Sequence, residues 1–154
     1  MPLLFMSEKN KIRTDKDTYF LKIAKLTSER GTCVRRKVGC VIVDKHNHVM
    51  ATGYNGVPKN FPHCFYNPCL GANSKTGKNL NQCLAIHAEQ NALLQCKDIM
   101  AIDTIYCTIT PCITCAKLIA NTSCNRVVCS EKYSDEEALN LLYFAKIQVD
   151  LCKI

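Results

Sequence analysis

The chain has 154 residues, 47% hydrophobic and 21% charged, with a net charge of +7. That length is about one domain and can bury a substantial core without disulfides, and the composition excludes disorder. The apolar runs fall far short of the ~18–20 residues that cross a bilayer, and "MPLLFM" at residues 1–6 is too short for a signal peptide and has no basic flank, so the expectation is one cytoplasmic domain over 1–154.

In chain order, "DTYFLKIAKLTSER" sets Tyr19, Phe20, Ile23, Ala24 and Leu26 at a helical period, with Gly31 as the stop. "VGCVIVDKHNHVMATGY" reads as two strands joined by the turn "DKHNH". Residues 53–83, rich in Gly, Pro, Asn and Cys, read as a long functional loop inserted in the domain. A helix from about His87, the strand "DTIYCTIT", a helix from about Cys112, the strand "NRVVCS", the helix "DEEALNLLYFAK" and the strand "IQVDL" complete the chain. Such alternation predicts an α/β fold, a partly parallel sheet with helices on its faces.

Twelve cysteines without an export signal point to metal binding or packing, since a reducing compartment disfavours disulfides. Cys40, Cys107 and Cys129 lie inside β-branched apolar runs, where a free cysteine behaves as a small hydrophobe. Two other pairs carry chemistry. His87 and Glu89 open one helix, and Cys112 and Cys115 stand one turn apart at the start of another, so helix N-termini beside strand ends can bring them together. One imidazole and two thiolates suit Zn²⁺ and leave a fourth tetrahedral position for water, as in a catalytic site. The N-terminal helix dipole favours the thiolates, and Pro111 suits a sharp strand-to-helix transition.

"HAE" at 87–89 with "PCITC" at 111–115 matches the known zinc deaminase signature. Glu89 is then no ligand but the general acid–base that moves protons from the activated water to the ring nitrogen and the leaving amine. The backbone N–H of Ala88 is placed to hold the pyrimidine carbonyl oxygen.

"RGTCVRRKVGCVIV", "ATGYNGVP", "HAEQNALL", "TPCITCAKLIA" and "RVVCSEKYSDEEA" together resemble the deoxycytidylate deaminases, in the same order and over most of residues 19–150. The resemblance implies a three-layer α/β/α sandwich around a five-stranded mixed sheet, a homo-oligomer (hexamer), and zinc-dependent conversion of dCMP to dUMP and ammonia, feeding dTTP synthesis. It implies that Asn55 contacts the deoxyribose and that Arg35 and Tyr133 hold the 5′-phosphate; Arg36 is read as a neighbour pointing elsewhere. It also implies activation by dCTP and inhibition by dTTP, with Mg²⁺ accompanying the nucleotide effector, through Tyr54, Asn55 and Gly56. The next segment, "VPKNFPHC", departs from the Gly-rich form frequent there.

Cys33, Cys64, Cys69 and Cys83 remain. In several relatives these positions hold a second, structural zinc, and a closed four-thiolate site would order the 53–83 loop, with His63 outside it. Two other readings share the catalytic signature. A nucleic-acid (tRNA adenosine) deaminase would use the positive charge on phosphates, but the basic residues are dispersed; a non-catalytic zinc module leaves Glu89 idle.

Overall fold

Strand β1 (Gly39–Asp44) reads "GCVIVD", and its buried residues divide by parity. Cys40 and Ile42 enter one apolar cluster, and Val41 and Val43 enter another on the opposite face. The same period of two continues in β3 (Ile102–Ile109), with Ile105 and Cys107 on one face and Tyr106 on the other, and in β4 (Arg126–Glu131), with Val127 and Cys129 against Val128. Near-continuous apolar strands are what a sheet covered on both faces requires.

The computed structural model describes residues 13–75, 78–133 and 135–154; the "MPLLFM" stretch lies outside them. With β2 (Val49–Tyr54) and β5 (Gln148–Leu151), the sheet runs β2-β1-β3-β4-β5. Strand β1 is antiparallel to both β2 and β3, while β3, β4 and β5 are parallel. Helix α1 (Lys16–Ser28) covers one face, and α2 (Ala88–Gln95), α3 (Ile113–Ala120) and α4 (Glu136–Phe144) cover the other, giving the expected three layers. Among the described residues no helix is long and apolar enough to cross a membrane.

One detail differs from the expected helix faces. Helix α1 buries Phe20, Leu21, Ala24 and Ser28, whereas Tyr19 and Leu26 face outward. The stripe is set by close approach: a Cβ on Gly39 would lie 1.9 Å from the Ala24 carbonyl oxygen, so small residues on both elements let helix and strand touch. On the other face, a Cβ on Gly53 would lie 2.2 Å from the Ala88 carbonyl oxygen. That contact seats the start of α2 on β2.

The strand directions gather one edge. The ends of β2, β3 and β4 and the start of β1 all lie there, beside the N-termini of α2 and α3. Such carboxyl ends, where a sheet's winding reverses, are where open α/β sheets bind ligands. Among the described residues between β2 and α2 there is no regular element except a 3₁₀ turn at Leu80–Gln82 and a bridge between Gly56 and Ile86.

A polar knot ties α1 to the sheet. Arg126 donates from both terminal nitrogens to Asp17 at 2.9 and 2.8 Å and from Nε to Asp150 at 2.6 Å, and the Tyr106 hydroxyl donates to Asp17 at 3.0 Å. The Arg126 hydrogen bonds hold the Asp17 carboxyl below its ordinary range, against partial burial. A carboxylate with a depressed folded pKa contributes stability above its unfolded pKa and loses it as pH falls through the folded value. Asp17→Asn is expected to cost about 1–3 kcal/mol near pH 7. In chemical denaturation at stepped pH, the gap from wild type should close as pH falls below about 4; a constant gap to pH 2 would remove the knot's ionic part.

Candidate metal centre and cavity

His87 is the N-cap of α2 and Cys112 the N-cap of α3, both in extended backbone conformation. An N-cap side chain usually turns back to its own helix's free N–H groups. Cys112 does not do so. At His87 a capping box closes the helix start, the Gln90 side-chain oxygen accepting from the His87 N–H at 2.8 Å, while the imidazole Nδ1 faces the other helix.

His87 Nδ1 lies 3.4 Å from Cys112 Sγ and 3.4 Å from Cys115 Sγ, and all three donor atoms lie within 4.8 Å of one another. Tetrahedral zinc with bonds of about 2.0 Å to nitrogen and about 2.3 Å to sulfur sets those atoms about 3.6 Å apart. The donor set therefore fits the ion in type, number and spacing. Cys115 is fully buried and Cys112 nearly so.

Charge in this cluster is shared. A hydrogen bond from the Cys115 thiol, aided by His87 and opposed by burial, draws Cys112 down to about 4. The same bond, with burial and the nearby Glu89, pushes Cys115 far up. One thiolate and one thiol thus coexist, and a bound divalent cation would deprotonate the second. His87 is raised, first by its hydrogen bond with Cys112.

Glu89, in the first turn of α2 and 4% exposed, lines a cavity of about 110 Å³ with His87, Ala88 and Cys112. Burial is the main force raising its carboxyl, partly offset by its own backbone N–H and by His87. Arg35, Asn55 and Tyr133 line the same cavity. The Arg35 guanidinium rests on the Lys75 carbonyl at 2.5 Å. The Asn55 amide braces the preceding loop, accepting from Val38 N–H at 2.8 Å and donating to the Arg36 carbonyl at 2.7 Å.

Arg36 differs from its expected orientation. It too lines the cavity, held at the rim by Glu131. Two adjacent arginines in an irregular loop carry no periodicity from which their directions can be read. Thr110 was also missed; its hydroxyl accepts from Tyr133 N–H at 2.7 Å and so fixes that loop. Tyr54 and Gly56 do not line the cavity: Tyr54 is part exposed at the end of β2, and Gly56 pairs with Ile86.

Cys33 and Cys83, two members of the second cysteine set, border the cavity. Against its own burial, Cys69 is lowered by the amides of Leu84 and Gly71 and the thiols of Cys64 and Cys83. Cys83 is raised by burial and by Cys33 and Cys69. The four are neighbours, yet no three of their sulfurs lie within 4.8 Å of one another as the atoms of the His87 trio do. His63 is exposed.

A mixed five-stranded sheet that brings two helix N-termini together around one histidine and two cysteines defines a zinc-site α/β domain. Residues 14–131 match the family model described as the cytidine and deoxycytidylate deaminase zinc-binding region. The chain is 43% identical to the deoxycytidylate deaminase of Saccharomyces cerevisiae over 90% of its own length and 45% of the yeast protein's. It is 41% identical to that of Mycobacterium phage D29, over 75% of this chain and 94% of the phage protein. The solved dCMP deaminase of cyanophage S-TIM5, in complex with dCMP and dUMP, superposes with a TM-score of 0.70 at 30% identity, over 88% of this chain and 95% of that one. The chain belongs to the cytidine and deoxycytidylate deaminase family. It spans less than half the length of the yeast relative.

The geometry separates two roles for neighbouring residues. His87→Ala is expected to lower bound zinc, measured by atomic emission on purified protein, whereas Glu89→Gln should leave it unchanged. Equal zinc in the wild type and the His87 variant would remove His87 from the ligand set.

Proposed function

We propose that the chain catalyses hydrolytic deamination of dCMP to dUMP and ammonia. The observation that carries this reading is the cavity itself: a His/Cys/Cys donor set beside Glu89, the one carboxylic acid among the described residues that line it. The cyanophage relative solved with dCMP and dUMP supports the choice of substrate.

Zinc held by His87, Cys112 and Cys115 would supply a water ionised near neutral pH. The chain's own groups do the rest. Replacing the C4 amino group by oxygen requires a proton at ring N3 and another on the departing amine. Glu89 would carry both, and burial raises its carboxyl, which favours the protonated form. The N–H of Ala88 opens α2 and has no partner within its helix, so it can donate to the pyrimidine carbonyl.

A pyrimidine alone offers little binding surface, so remote binding energy must set C4 in place. Arg35 and Tyr133 are the proposed phosphate contacts and Asn55 the sugar contact. A guanidinium can hold two phosphate oxygens at once, exchanging the Lys75 carbonyl for them.

The same reading assigns Cys33, Cys64, Cys69 and Cys83 to a structural zinc, which would draw their sulfurs together and order the loop. Supply of dUMP to dTTP synthesis belongs to it as well. So do control by dCTP and dTTP with Mg²⁺ through Tyr54, Asn55 and Gly56, and assembly as a hexamer.

Three measurements test this. Glu89→Gln should keep its zinc and lose at least ~10²-fold in ammonia release from dCMP; activity within a few-fold of wild type would sink the assignment. Wild type should strongly prefer dCMP to deoxycytidine, and Arg35→Ala should erode the ratio of their kcat/KM values by about 10–100-fold. An unchanged ratio would show that the phosphate is read elsewhere. Metal analysis should give close to two zinc per chain, and Cys83→Ser should lower the melting temperature; one zinc with an unaltered melt would leave the four cysteines without a metal role.

A further inference from the structure

Both putting a ligand at an N-cap and keeping the helix start satisfied is a conflict. Helix α2 resolves it internally, through Gln90. Helix α3 has no such residue: Cys112 makes no cap hydrogen bond, and its first turn, "ITC", offers no carboxylate or amide.

The missing cap comes from the next helix. Asp135 is the N-cap of α4, and its Oδ1 accepts from the Ala138 N–H at 3.0 Å. Its other oxygen, Oδ2, accepts from the Ile113 N–H at 2.8 Å, at the first residue of α3. One carboxylate therefore closes two helix N-termini. It stands two residues beyond Tyr133, whose N–H is tied to Thr110 at 2.7 Å, while Thr110 N–H reaches the Glu131 carbonyl at 3.0 Å. The strand end carrying Cys112 and the loop carrying Tyr133 are thus laced from both sides.

We propose that Asp135 is a positioning residue for the metal centre: its bond to Ile113 N–H fixes the start of α3, and with it the direction of Cys112 and Cys115 toward His87. This rests on the zinc reading above. A negatively charged acceptor at that N–H is favoured by the helix dipole as well as by the hydrogen bond. Groups that orient metal ligands are commonly worth 10–100-fold in affinity or activity when removed.

The test separates this role from ordinary capping. Asp135→Ala removes both bonds. Asp135→Ser keeps a good N-cap for α4, but its single shorter oxygen cannot serve two helices. Asp15→Ala is the control, because Asp15 caps α1 through the Thr18 N–H on the opposite face of the sheet. Zinc release to a chelator and the thiolate-to-metal absorption of the cobalt-substituted protein are the readouts, beside turnover of dCMP. Asp135→Ala and Asp135→Ser are both expected to release zinc at least ~10-fold faster than wild type and to alter the cobalt spectrum. Asp15→Ala should change neither, whatever it does to the melt. If Asp135→Ser releases zinc at the rate of Asp15→Ala with an unchanged cobalt spectrum, Asp135 is only a cap and the proposal falls. A wild type that binds zinc but leaves dCMP untouched overturns the functional reading alone, and the zinc and cobalt comparison still decides Asp135. A wild type that binds no zinc overturns both.

Discussion

His87 Nδ1 stands 3.4 Å from two sulfurs, and that spacing exists only because α2 and α3 begin at the same edge of the sheet. A ligand at an N-cap gains a fixed backbone direction and the positive end of the helix dipole, which favours thiolate. Cys112 forfeits its own capping bond for it. Much of the polar architecture around the centre follows from that exchange, since other side chains must supply what the ligands no longer do.

The loops around the cavity are organised by the same economy of polar groups. Asn55 sits just past β2 and is buried, so its amide needs partners. It finds them in the backbone of residues 36 and 38, which sets the height of the two arginines above the cavity floor. Floor and rim are thereby built from different material. The floor is rigid sheet and helix, whereas the rim arginines rest on exposed partners, a carbonyl and a carboxylate, in contacts that solvent screens.

Strands and helices were legible in the sequence because the strands are β-branched runs bounded by turn residues, and the helix starts are marked by the ligands themselves. His87 with Glu89 and Cys112 with Cys115 needed only the rule that helix N-termini meet at strand ends. The side of α1 that packs was not legible: Tyr19 and Leu26 fit the apolar period as well as Leu21 does, and the choice is made by Gly39 on the strand that follows. Arg36 escaped for a like reason, its direction being set by Glu131, 95 residues away. Asp135 looked like an ordinary helix start, because its second partner belongs to another helix.

The tight seat of α2 on β2 makes the centre sensitive at a distance from its chemistry. Gly53 touches no ligand, yet a methyl group there would collide with the backbone of Ala88 and Ala92. A helix pushed outward as a rigid rod carries its first residues with it, so His87 and Glu89 would shift together relative to the cysteines on α3. Inactivating substitutions should therefore map to a patch of small residues beneath the helix as well as to the cavity wall. A variant there would resemble one lacking a ligand while keeping every ligand in its sequence.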